Sequence, residues 1–543
     1  MRRWTGWLGL ILLCATLKAQ TPEIASMLRD AFPVSQLKPG MKGYGLTVFK
    51  GTQIERFEVE VVGVLENANF GRPLVLIKMK GGPITGRQAN IIAGMSGSPV
   101  FIQGKILGAV AYGFAFPREP HGLVTPLEDM LTTFDPRLNR QSARLTTTRV
   151  VHRSVRLAGR LYAGVHIGPN PPTAPNLAWA RPLMTPVMVS GLSARGLERL
   201  RKKLEPYGLM PVMAPGGAGK PIRVQFEPGA AFGVALATGD IDLTAIGTLT
   251  YRKGNYVLAF GHPFFGAGEV EMPVTAAEII DVFPSYLASF KLGNRAQTLG
   301  TLYHDGAFAV AGQLGRNAHM MPIRMRITNA QTGVTRTYRC EFFRHSLLTP
   351  QFIGIAVSEF IGRTYFALGD ATVTVRWTLK TQPYGEIRYE NRLFSDALAE
   401  DTVLQDLSYV LGLLQGAPDR KVELEGLEME VVIQPGRHTA FIERLTTDKG
   451  AYRPGETVRA TVWVRPVRAP SALRPYTFTF RIPYDATSGR YTLQVASGGE
   501  VAGAPTGLPM GLVRVLMGGG VGGTPTTAQM LREFQRRERN HQL

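Results

Sequence analysis

Gly94-Met95-Ser96-Gly97-Ser98-Pro99 runs directly into Val100-Phe101-Ile102 and then into Gly104-Lys105-Ile106-Leu107-Gly108-Ala109-Val110. A small, polar, glycine-flanked turn therefore feeds two apolar runs of strand character. A serine nucleophile requires a reachable hydroxyl and backbone N–H donors for the oxyanion formed on attack, and this layout provides for both. Ser96 and Ser98 are the two serines of this turn. The same residues also read as a plain Gly/Ser hairpin of a β-protein.

Strand signals surround the turn. Leu46–Phe49 and the cleanly alternating Phe57–Val62 precede it, residues 74–79 continue the pattern, and residues 106–114 follow. A small β-barrel over residues 21–145, with Ser96 on a turn, accounts for them. His121, flanked by Pro120 and Gly122, reads as a surface turn histidine and not as a base for Ser96.

Two segments carry a family resemblance. The first is Gly94–Val110 itself, whose G-x-S-G-x-P pattern is similar to the nucleophile turn of chymotrypsin-like proteases. The second is Ile246-Gly-Thr-Leu-Thr-Tyr251 followed by Val257-Leu-Ala-Phe-Gly-His-Pro-Phe264. Together they resemble the SpoIVB-type serine peptidases. The resemblance implies Ser96 as nucleophile, His262 as general base, and the N–H groups of Gly94 and Ser96 as the oxyanion hole. It also implies an acid before the serine, but Gly81 stands at that place, and there is no Asp or Glu between Asn67 and Ser96. The His segment follows the Ser segment, the reverse of the family order, and the peptide-binding module at the front of the sporulation peptidase is not recognisable. Asp240, Asp242 and Asp305 are the candidate third members, each also readable as a solvated turn residue.

The 543 residues exceed what one hydrophobic core organises, so about three domains are expected. Hydrophobic residues at 44% and charged residues at 19% describe folded material, and 61 Gly with 37 Pro favour short strands and turns. The order expected is a small α/β insertion at 146–235, with a helix capped by Ser193, then a His262-bearing β segment at 236–390. A short helix is expected within Glu271–Phe283. A helical connector at 391–420 follows, then an Ig-like β-sandwich at 421–500 built from Glu428–Ile433, Thr457–Val464, Thr477–Ile482 and Tyr491–Val495. A Gly-rich linker and basic tail at 501–543 ends the chain. The fold class is thus mainly β and multidomain, with two chymotrypsin-like barrel segments facing each other across a peptide-sized cleft.

Residues 1–20 read as a secretory signal, with Arg2 and Arg3 before the apolar run Trp7–Leu13 and a small residue at Ala19. Export to the periplasm, envelope or exterior follows. Loss of the signal takes Cys14 and leaves Cys340 without an intrachain partner. The net charge of +20 favours an anionic envelope surface as a partner. Nucleic acid does not suit an exported chain, and no further apolar run is long enough to span a bilayer. Pro215-Gly-Gly-Ala-Gly-Lys-Pro221 fails as a phosphate loop, because Pro221 follows the Lys where Ser or Thr is needed. The nine histidines show no metal-ligand spacing, so no metal and no cofactor is expected. The functional expectation is an exported serine endopeptidase acting on envelope proteins or on itself. The alternative is an inactive peptidase fold that binds or scaffolds in the envelope.

Overall fold

The computed structural model describes residues 24–115, 118–135, 148–216, 221–417, 421–496, 526–536 and 539–540. The leader expected at 1–20 lies outside them, as does the Gly-rich run Gly518–Gly523.

Six strands build the first barrel: β1 (Lys42–Val48), β2 (Ile54–Asn69), β3 (Arg72–Lys80), β5 (Pro99–Ile102), β6 (Lys105–Phe114) and β7 (His121–Pro126). A two-residue strand, β4 (Ile92–Ala93), lies between β3 and β5 and outside the barrel wall. In β2 the alternation is literal: Phe57, Val59 and Val61 are buried, while Glu58 and Glu60 face water. Gln103 and Gly104 both take positive φ, so β5 and β6 join through the two-residue turn whose twist matches the strands. The strands pair in the order β1-β2-β3-β7-β6-β5, and β5 returns to β1, every pairing antiparallel. Closure removes the free edges. Phe57, Val59, Val75, Ile77, Val100, Leu107 and Val110 fill the interior.

The second barrel repeats this plan. Ala231–Gly239, Asp242–Lys253, Tyr256–Ala259, Val310–Leu314, Ser289–Asp305 and Gly268–Phe283 pair antiparallel in that spatial order, and the last returns to the first. Taken as first to sixth along the chain, both barrels run 1-2-3-6-5-4. The helix expected within Glu271–Phe283 is instead part of the long strand Gly268–Phe283. Its Ala276-Ala277-Glu278 is locally helix-friendly, but tertiary pairing with Ser289–Asp305 decides the outcome.

The stretch expected as a separate α/β insertion is shared between the barrels. Leu177–Pro182 pairs with β6, and Gly164–Ile167 and Arg149–Val151 extend that sheet. Thr185–Ser190 and Leu209–Met213 extend the sheet of the second barrel. Between them lies the expected helix, Ala194–Leu204, with Ser193 Oγ accepting from the Gly196 N–H at 3.1 Å.

The second sheet continues outward through Thr335–Phe342, Met321–Asn329, Glu423–Pro435, Ala371–Gln382 and Gly385–Ser395. Glu423–Pro435, which the sequence groups with the later strands, pairs in parallel with Met321–Asn329. Its buried Leu427, Met429, Val431 and Ile433 belong to the large core under the helices Leu348–Thr364 and Ala399–Gln415. Ala440–Thr447, Thr457–Pro466 and Arg474–Arg481 form a three-stranded sheet of their own, and residues 491–495 are not a strand. In the tail, the helix Thr527–Arg536 docks Leu531 and Phe534 into the main core.

Candidate active site

Ser96 sits in the connection between the third and fourth strands of the first barrel, and His262 in the connection between the third and fourth strands of the second. β4 carries the Ser96 approach onto the second barrel by pairing in parallel with Ser289 and Phe290.

The Ser96 turn is held through its carbonyls. Thr248 Oγ1 donates to Gly94 O at 3.0 Å, the Thr248 N–H to Ser96 O at 2.8 Å, and Thr250 Oγ1 to Gly97 O at 2.8 Å. The Ser98 N–H donates to Met95 O at 2.8 Å, and the Val110 N–H to Ser98 O at 3.0 Å. Thr248 and Thr250 lie two residues apart on Asp242–Lys253, so strand alternation points both toward the turn. The N–H groups of Met95, Gly97 and Ser98 donate to Ile92 O, Val110 O and Met95 O. Those of Gly94 and Ser96 meet no acceptor among the described residues. The turn thus offers two free donors on a backbone fixed at every carbonyl, as a preorganised anion site requires. Gly97 is obligatory: its φ is +94°, and a β-carbon there would lie 2.0 Å from Thr248 O and 2.6 Å from Phe260 N.

The His262 loop is wedged between the barrels. Phe260 and Gly261 both have positive φ, an uncommon conformation for the phenylalanine. Gly261 O accepts from Thr125 Oγ1 of β7 at 2.6 Å. Asp305 accepts the N–H groups of Phe264, Phe265 and Ala267 at 2.8, 2.7 and 3.2 Å. His262 Nδ1 lies 2.8 Å from Pro263 O, which assigns the ring proton to Nδ1 and leaves Nε2 a bare acceptor. Burial pushes His262 from its ordinary 6.5 down to about 4, so the ring is neutral at pH 7. Among the described residues neither His262 Nε2 nor Ser96 Oγ has a hydrogen-bond partner, so the two groups do not bond to each other, and the residues are 3% and 0% exposed.

Residues 19–131, covering the whole first barrel and the Ser96 turn, match SpoIVB peptidase S55. Over that stretch the chain is similar to the SpoIVB-type serine peptidases. No curated protein matches the chain. The peptidase segment ends before His262, which the second barrel supplies.

The candidate acids of the peptidase reading engage other groups. Asp242 is ion-paired with Arg295 at 2.7 Å and accepts from Thr244 Oγ1 at 3.0 Å. Asp240 accepts from the Arg339 N–H at 2.6 Å. Asp305 binds the backbone beyond His262 and not the ring; burial raises its pKa, against the backbone donors that lower it. His121, expected on the surface, is 5% exposed at the start of β7, with Glu119 3.8 Å away. Its pairing with Lys78 draws it into the barrel wall.

Sequence reasoning did not single out Thr248, Thr250, Thr125 or Lys291. Lys291 is fully buried and donates to Thr47 Oγ1 at 2.7 Å. The two threonines were visible in the Gly247–Tyr251 segment, but threonine is an ordinary strand residue and alternation alone gives it no task.

Proposed function

We propose that this chain is an exported serine endopeptidase whose catalytic unit spans both barrels, residues 21–145 and 236–390, with residues 1–20 as its export signal. Its substrate is another envelope protein or the chain itself. The observation that carries the reading is the pair of free N–H groups at Gly94 and Ser96 on a turn held at every carbonyl. The match of residues 19–131 to a serine peptidase family supports it. Ser96 Oγ attacks the peptide carbonyl and its proton passes to His262 Nε2. The new oxyanion takes hydrogen bonds from Gly94 and Ser96. His262 then gives the proton to the leaving amine, and water reverses the sequence to free Ser96. Pro263 O holds the ring tautomer that a carboxylate would otherwise hold, so the pair acts as a dyad.

The burial and lack of partners of both Ser96 Oγ and His262 Nε2 favour a second reading, an inactive fold that binds envelope partners. Labelling with a fluorophosphonate probe separates the two. The peptidase reading expects the folded wild type to be labelled and both Ser96→Ala and His262→Ala to lose labelling. Folded wild type that takes no label rejects it in favour of the binding protein.

A further inference from the structure

Lys291 is a buried amine that forms no ion pair among the described residues. It stands at the start of Ser289–Asp305, wholly buried, and Glu55 of β2 is the acid whose field reaches it. Its Nζ donates to Thr47 Oγ1 at 2.7 Å and lies 3.5 Å from Thr248 Oγ1. Thr47 belongs to the first barrel and Thr248 to the second. Thr248 Oγ1 in turn donates to Gly94 O. The Lys291 stem backs the same glycine: a β-carbon on Gly94 would lie 3.2 to 3.3 Å from its Cβ, Cγ and Cδ.

As a core residue Lys291 is expensive. An apolar chain of the same length would fill the space without desolvating an amine. Burial holds it well below an ordinary lysine, at about 7, so the cost falls on a group still half-charged near neutrality. Residues that break the rules of core composition concentrate where function requires them.

We infer that Lys291 is a positioning residue for the oxyanion turn, its stem backing Gly94 and its amine tying Thr47 of one barrel to Thr248 of the other. The inference rests on Ser96 as the nucleophile whose oxyanion that turn receives. Lys291 touches no substrate. It acts by keeping the Gly94 and Ser96 N–H groups aimed.

The test compares the full chain with Lys291→Met, which keeps the stem and removes the amine. Three properties are measured: thermal midpoint, fluorophosphonate labelling at varied probe concentration, and deuterium uptake of the peptide covering residues 92–99. A positioning role expects Lys291→Met to melt higher than wild type yet label about tenfold more slowly, a fraction of the loss seen when an oxyanion donor itself is removed. The maximal rate should fall with the half-saturating probe concentration unchanged, and residues 92–99 should exchange faster while Glu423–Pro435 stays as protected as before. Wild-type labelling with unchanged exchange overturns the inference. So does a variant that melts lower and exchanges faster throughout, which would make Lys291 a packing residue. If wild type takes no label, the peptidase reading fails, and uptake at residues 92–99 alone decides whether Lys291 holds the turn.

Discussion

Burial governs how His262 would behave as the proposed base. With its pKa near 4, the ring stays neutral across the neutral range, and Nε2 is available to take the Ser96 proton. The Ser96 labelling rate should therefore be half-maximal near pH 4 and level above about pH 5, instead of rising through 6.5. A midpoint near 6.5 would mean that the ring is solvated in the reactive state. Stability carries the same signature. Between pH 4 and 6.5 the unfolded chain binds a proton on His262 that the folded chain does not, so folding stability rises with pH across that window. The full contribution, about 3 kcal/mol, is present above 6.5 and is lost as pH falls toward 4. Urea unfolding of wild type and His262→Gln at several pH values reads it as a difference between the two slopes. Ser96 and His262 were singled out through the family resemblance of their segments, since a glycine-flanked turn alone reads equally well as plain structure. Lys291 was not, since a lone lysine between Phe290 and Leu292 reads as a solvated strand position, and only three-dimensional pairing buries it.

At the scale of the element, the His262 loop depends on Asp305 more than on any partner of the ring. One carboxylate takes up three backbone N–H groups, fixing residues 264–267 and through them the Pro263 carbonyl that orients His262. Asp305→Ala would leave those donors buried and unpaired, at about 1–3 kcal/mol each if none is rescued by water. Asp305→Asn keeps one acceptor oxygen. The expected order of both thermal midpoint and labelling rate is wild type, then Asn, then Ala, the two properties falling together. A variant that kept its midpoint and lost only labelling would give Asp305 a direct electrostatic role toward the ring. The sequence identified Asp305 as a candidate partner of His262 from its place in a turn. Which atoms it serves depends on how Ser289–Asp305 closes against the loop, a long-range pairing that no local pattern encodes.

At the scale of the molecule, the two barrels would let a swapped chain order serve the one site proposed above. Both run 1-2-3-6-5-4, and the connection between the third and fourth strands of each touches the other barrel, Gly97 against Thr248 and Phe260, and Gly261 against Ala109, Ala111 and Thr125. Either barrel can then carry either turn, because what matters is the meeting of the two connections, with Thr248 and Thr250 reaching one way and Thr125 the other. Strand alternation made the barrels legible; the division of residues 149–213 between them was not, since edge pairing is decided by which strand is left uncovered. The tail adds a test at this scale. The helix Thr527–Arg536 seats Phe534 against Tyr389, Tyr409 and Trp377, with ring centroids 5.3, 5.7 and 6.2 Å away. A ten-residue helix does not persist in water by its own propensity, so these contacts hold it. Truncating a buried phenylalanine costs about 3–5 kcal/mol, more than so short an element retains elsewhere. Phe534→Ala should release the helix, and trypsin should cut after Arg532 and Arg536 far faster than in wild type. Ser96 labelling should stay within about twofold, because the helix packs on the outer sheet and not on either barrel connection. Unchanged cleavage would show that the helix is anchored by other contacts, and a collapse of labelling would show that the outer sheet and the Ser96 turn form one cooperative unit.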